Sequence, residues 1–170
     1  MQPRGTERCL CCIDRCDILM GGAREAALPT LYLIRHGETA WSLSGQHTGR
    51  TDIPLTTHGE AMARDMAPLL DHVPFSHIFA SPRQRARRTC DLSACGGPAT
   101  IEEDLAEWDY GDYEGQLTAE IRKTRPGWSV FRDGCPGGET LDDVVMRADR
   151  LLLRLCVLDG NIALFSHGQY

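Results

Sequence analysis

Two segments of this chain, Arg35-His36-Gly37 and Ser166-His167-Gly168, place a histidine between a polar residue and a glycine at the end of an apolar run. A third, Ser81-Pro82-Arg83-Gln84-Arg85, follows another apolar run and carries arginines into the start of a helix. Histidine supplies a nitrogen that gains and loses protons near neutrality. Guanidinium forks match phosphate oxygens in bidentate fashion. A glycine after each histidine lets backbone and ligand approach closely. Brought together, Arg35, His36, Arg85 and His167 would form a local cationic pocket for a small phosphorylated anion.

The flanking elements are those that could bring them together. Leu31-Tyr32-Leu33-Ile34 is a short apolar run of the kind that makes a fully buried strand, ending at Arg35. Thr57 with Glu60 is a capping-box pattern that opens a helix through Ala61-Met62-Ala63, with Pro68 limiting its extent. His77-Ile78-Phe79-Ala80 reads as a second strand. In the residues after it, Ser81 serves as N-cap, Pro82 as the first helical residue and Gln84 as the end of a capping box, so Arg85 falls in the first turns of a helix. A third strand is expected at Ala99 to Ile101, and a loop from Trp108 to Gly115.

Thr140 caps an amphipathic helix whose apolar positions Leu141, Val144, Val145, Ala148, Leu151, Leu152 and Leu155 recur at three- and four-residue spacing, which predicts a core face. Asn161 to Phe165 is a last buried strand, ending at Ser166-His167-Gly168. Strands alternating with helices imply an α/β fold, a three-layer α/β/α sandwich with a mainly parallel sheet. Open sheets of this kind bind ligands outside the carboxyl ends of their strands, where both histidines fall.

Composition narrows the function further. Eighteen Lys and Arg against 24 Asp and Glu give a net charge of -6, which excludes a general nucleic-acid or anionic-membrane binder. No apolar run approaches a membrane span, and Asp14, Arg15 and Asp17 interrupt the stretch a signal peptide would need, so the expectation is a cytoplasmic protein. Residues 1–29 lack strand or helix periodicity and read as a poorly ordered extension; residues 30–170 form the domain. Cys9, Cys11, Cys12 and Cys16 crowd that extension, yet their spacing lacks paired C-x2-C halves and a nearby histidine, which argues against zinc and for free thiols. Cys9 and Arg15 satisfy the C-x5-R spacing of cysteine-dependent phosphatases. The intervening residues have no glycine and follow no strand, so they do not form a phosphate-wrapping loop.

Arg35-His36-Gly37-Glu38-Thr39 resembles the R-H-G-[EQ]-[ST] signature of the histidine phosphatase superfamily, also called phosphoglycerate mutase-like. The resemblance continues through Trp41 to Gly49, Thr51 to Thr56, Ser81 to Thr89, Glu107 to Gly115 and Arg132 to Cys135, and covers the chain from Thr30 onward. Within the superfamily these segments are most similar to the sedoheptulose-1,7-bisphosphatase branch, since mutases and many phosphatases have Trp-Asn where this chain has Trp41-Ser42. The resemblance implies hydrolysis of a phosphate monoester through a phosphohistidine, on a sugar bisphosphate such as sedoheptulose 1,7-bisphosphate, with no metal or organic cofactor. It makes His36 the nucleophile, sets Arg35, Arg85 and His167 around the transferring phosphoryl group, and makes Glu107 the proton donor and acceptor. Burial would raise the pKa of Glu107 and the cations would oppose that; the sequence leaves the balance open. His47, Thr48 and Tyr110 are either loop residues or substrate contacts.

Two other readings stand beside this one: a phosphoglycerate mutase, and a non-catalytic phosphometabolite-binding protein. His36 and Glu107, whose loss would favour the latter, are both present. Relatives continue past the second His-Gly with a helix where this chain ends at Tyr170, so the resemblance also implies a domain without its C-terminal part. The oligomeric state is not encoded in any pattern visible here.

Overall fold

The strand Asn161–Ser166 (β4) organises the molecule. In the computed structural model, which describes residues 28–169, β4 has parallel neighbours on both sides: Thr30–Arg35 (β1) and Phe75–Ala80 (β2). Thr100–Ile101 (β3) extends the sheet beyond β2, giving four parallel strands in the order β1-β4-β2-β3. Successive side chains of a strand point to opposite faces, and β4 is apolar on both. Ile162 and Leu164 pack with Leu105, Leu151 and Leu155 on one side. Ala163 and Phe165 pack with Ile34, Ala80 and Cys90 on the other. A central parallel strand needs this continuous apolar run.

Helices cover both faces, completing three layers. Ala40–Ser44 (α1) follows β1. Thr57–Asp65 (α2), Ala67–Leu70 (α3) and Gln84–Leu92 (α4) follow, with Met66 and Leu70 against the Phe165 side of the sheet. The short helices Thr118–Thr124 (α5) and Val130–Asp133 (α6) precede the fifteen-residue Leu141–Leu155 (α7), which covers the opposite face. A separate cluster of Trp108, Tyr110, Tyr113, Ile121, Trp128, Val130, Cys135 and Val144 anchors the loops around the site. No helix among the described residues is long and apolar enough to cross a membrane.

Four local expectations are corrected. Among the described residues β1 pairs only with β4, and nothing covers its sheet face at Leu33, which is 76 % exposed, so the run is half-buried. Thr56, not Thr57, caps α2, its hydroxyl accepting from the Gly59 amide. On α7 only Val144, Leu151 and Leu155 of the apolar positions are buried, whereas Leu141, Val145 and Leu152 face outward. The buried stripe instead admits Arg147, whose guanidinium is satisfied by Glu139 and by the Asp104 and Ala106 carbonyls. Finally, Ser81 does not cap α4. The helix begins at Gln84 without a side-chain cap, and the Gln84 side chain bonds to the Asp52 carbonyl. Among the described residues Cys90, Cys95 and Cys135 are free thiols; the cysteine-rich start of the chain lies outside the described residues.

Candidate active site

β1 and β4 run parallel in register, pairing Arg35 with Ser166, so the two His-Gly steps leave the sheet side by side. The rings of His36 and His167 stand 5.2 Å apart, inclined at 63°. The third strand end, Ala80, lies on the other side of β4 and delivers Ser81 and then α4 to the same place. Three carboxyl ends meet as the sequence pattern implied.

His36 is held through its backbone. Its Nδ1 lies 2.7 Å from the Gly37 carbonyl, which only accepts, so Nδ1 carries the proton and Nε2 keeps its lone pair. Burial, aided by the charges of Arg85 and Arg35 and opposed by the Gly37 bond, lowers its pKa to about 4. The ring is therefore neutral at physiological pH, with Nε2 unprotonated. Arg35 lines the same pocket and forms no ion pair among the described residues. Gly168 packs against its guanidinium: a Cβ there would sit 3.2 Å from Nε.

His167 lies deeper, 8 % exposed. Its Nε2 meets the Ser81 hydroxyl at 2.7 Å, while Nδ1 is buried with no partner among the described residues. Burial above all, with the Arg85 charge next, drives its pKa far below the usual imidazole range. Arg85 is fully buried on α4. Its Nη1 donates to the Thr51 carbonyl and its Nη2 to those of Thr48 and Gly49, and its buried Nε has no partner among the described residues. The loop making this cradle is itself pinned, since the Glu114 carboxylate accepts from the Gly49 and Thr51 amides.

Glu107 lines the same pocket as His36. One carboxylate oxygen accepts from the Trp108 amide at 2.9 Å and the other from the Gly168 amide at 3.2 Å. Burial nevertheless outweighs these bonds and the Arg85 charge, so its pKa is raised. That resolves the balance the sequence left open. The pocket has a volume of about 330 Å³, and its outer wall is formed by Ser42, Gln46, His47, Thr48, Tyr110 and Gln169. The His47 ring stacks on Tyr110 at 4.5 Å, and its Nε2 meets the Thr118 hydroxyl. The Thr48 hydroxyl donates to the Gln46 carbonyl, and Tyr110 bonds to Gln169. Burial lowers the pKa of His47, so this wall is uncharged. A larger groove of about 560 Å³, lined by Leu55, Arg87, Arg88, Pro98 and Ile101 among others, contains no histidine and is separate from this chemistry.

The family model of the histidine phosphatase superfamily (branch 1) matches residues 31–170. The chain belongs to the histidine phosphatase superfamily. It is 38 % identical to the sedoheptulose 1,7-bisphosphatase of Saccharomyces cerevisiae, across 83 % of this chain and 64 % of that protein. To an acid phosphatase of Mycobacterium tuberculosis it is 42 % identical, across 82 % of this chain and 70 % of the relative. The solved structure of the Mycobacterium tuberculosis open reading frame Rv3214 superposes with a TM-score of 0.74 at 40 % identity, covering 81 % of this chain and 73 % of that one.

In this histidine phosphatase chain, His36, Arg35, Glu107, His47, Thr48 and Tyr110 line one pocket; Arg85 and His167 are buried next to His36, the His167 ring 5.2 Å from it and the Arg85 charge near enough to lower its pKa. Sequence reasoning missed Ser81, assigned there to a helix cap, and Glu114, which falls in the expected loop from Trp108 to Gly115. Ser81 directly follows a strand end, and that position was the available signal. Nothing in the sequence marks Glu114, because its partners are backbone amides 65 and 63 positions away.

Proposed function

We propose that the chain hydrolyses phosphate monoesters of small metabolites through a phosphohistidine at His36, with a sugar bisphosphate such as sedoheptulose 1,7-bisphosphate as substrate. The observation that carries this reading is the His36 tautomer: a neutral imidazole, held by Nδ1–H on the Gly37 carbonyl, with Nε2 unprotonated. Nε2 attacks phosphorus and the ester P–O bond breaks. Arg35, the Nε of Arg85 and His167 face the charge on the phosphoryl oxygens. With Nε2 of His167 accepting the Ser81 proton, the N–H of that ring is at Nδ1, its unpartnered atom.

Glu107, its pKa raised, donates a proton to the departing alkoxide. As a carboxylate it then takes a proton from water, whose oxygen attacks phosphorus as the P–N bond breaks, returning the electron pair to Nε2 of His36 and releasing inorganic phosphate. The uncharged hydrogen-bonding groups of the outer wall suit sugar hydroxyls, and the yeast relative's name supports that substrate class.

The test is phosphate release by the purified chain across a panel of sugar mono- and bisphosphates, with isomerisation of 3-phosphoglycerate assayed in parallel. We expect release to be fastest with a sugar bisphosphate, together with an alkali-stable, acid-labile phosphoenzyme. Isomerisation without net phosphate release would replace this reading with a mutase.

A further inference from the structure

We propose that Thr89, on α4, is a positioning residue for the nucleophile, acting through the Gly37 peptide. The inference rests on His36 as the phosphorylated residue. The Thr89 side chain is fully buried. Its hydroxyl accepts from the Gly37 amide at 3.0 Å and donates to the Arg85 carbonyl at 2.7 Å. The hydroxyl proton is therefore committed, and a lone pair faces Gly37.

Gly37 is thus fixed at both of its polar groups. Its N–H is held by Thr89, and its carbonyl holds the Nδ1–H of His36. On its remaining side it touches α2 so closely that a Cβ would stand 2.5 Å from the Gly59 carbonyl oxygen. Gly37 cannot move towards α2, and Thr89 stops it turning the other way.

Without that hydroxyl the Gly37 N–H would be buried and unpaired, and a buried unpaired donor drives rearrangement until a partner is found. Glycine resists such a turn less than any other residue. The N–H and the carbonyl of Gly37 lie in adjacent peptide units joined at its Cα, so rotation about its φ and ψ takes the carbonyl away from the His36 ring, and Nε2 loses its line to phosphorus. Phosphate binding is insulated from this motion, because Arg85 keeps its three carbonyl bonds to Thr48, Gly49 and Thr51. A positioning role in this sense separates the rate of phosphorylation from the affinity for phosphate.

The full-length chain is compared as wild type, Thr89→Val and Thr89→Ser, with p-nitrophenyl phosphate as substrate and rates expressed per folded molecule. The burst of p-nitrophenolate and alkali-quenched phosphohistidine measure phosphorylation, and inhibition by inorganic phosphate measures binding. Valine keeps shape and branching but removes the hydroxyl. It should slow phosphorylation about 10- to 100-fold, the scale of a small misplacement of reacting groups, with KM and phosphate inhibition within about threefold of wild type. Serine keeps the hydroxyl and should restore the rate to within about threefold of wild type.

A valine variant as fast as wild type, or serine and valine equally slow, overturns the proposal. So does a parallel loss of phosphate affinity, the mark of a structural role alone. If Thr89→Val does not fold, Thr89→Cys, a weak hydrogen-bonding group of similar size, takes its place with the same expectations. Absence of phosphohistidine in the wild type would bring down the functional reading and this inference with it. Phosphohistidine formed equally fast in wild type and valine variant would bring down this inference alone.

Discussion

The ends of β1 and β4 differ less in sequence than in what they do with a histidine. Both run from a polar residue through His to Gly, in register and side by side. At the β1 end the ring hangs from its own chain, through the Gly37 carbonyl, and turns Nε2 to the pocket. At the β4 end the ring is held by a side chain from a third strand, Ser81, and it is Nδ1 that has no partner. The first arrangement leaves a lone pair available for attack; in the second, where the Ser81 hydroxyl donates to Nε2 in the mechanism proposed above, Nδ1–H is the donor for an anion. The partner of the second ring nitrogen thus separates two histidines that the motif makes equivalent.

The largest effect should come from exchanging that logic residue by residue. His36→Asn preserves a donor to the Gly37 carbonyl but has nothing in place of Nε2, so no phosphoenzyme and no measurable turnover are expected. His167→Gln preserves the partner of Ser81 and removes Nδ1. It should still form phosphohistidine, about 10²- to 10³-fold more slowly, the usual consequence of losing one oriented donor to transition-state charge. Phosphohistidine trapped from both variants and identified by mass decides the matter. A phosphorylated His36→Asn protein, or one phosphorylated on His167, would erase the distinction between the two strand ends.

Glu107 belongs to the β4 end, since it accepts from the Gly168 amide, and in the mechanism proposed above it serves the leaving group rather than the phosphoryl group. Proton transfer by a positioned acid contributes about 10²- to 10⁴-fold, but p-nitrophenolate departs without a proton. Glu107→Gln should therefore lose most of its kcat/KM on a sugar bisphosphate and far less on p-nitrophenyl phosphate. Equal losses at one pH would remove Glu107 as the acid.

Much of this was legible in the residues. Strand ends, parallel order and the meeting of His36, Arg85 and His167 follow from apolar runs and from where they stop. What escaped was pairing at long range. Ser81 has the credentials of an N-cap, and only the packing of β2 against β4 turns its hydroxyl to His167 instead. Leu33 reads as buried because an apolar run records hydrophobicity but not whether another element covers that face of the strand. On α7, Arg147 lies in the buried stripe because Glu139 and two loop carbonyls await it, which no local pattern announces.

The smallest effect expected is on stability in acid, and it tests whether the two rings differ in burial as they differ in partner. Unfolded histidine titrates near 6.5. In the folded chain His36 titrates at about 4, and His167 lies lower still. Below pH 6.5 the unfolded chain takes up protons that the folded one refuses, so each ring makes stability fall as pH falls. The scale is about 1.4 kcal/mol per pH unit while the two states differ by a full proton. For His36 the loss flattens below about pH 4; for His167 it continues into more acid solution. Glu107 runs the other way, since its raised pKa favours the folded chain in acid, so the wild-type slope is a sum and the variants must be compared with it. His36→Asn should flatten the decline of the melting temperature between pH 6.5 and 4. His167→Gln should flatten it over the same span and further below pH 4. Identical pH profiles for the two variants would mean that the rings share one environment, and the contrast between them would then rest on their hydrogen bonds alone.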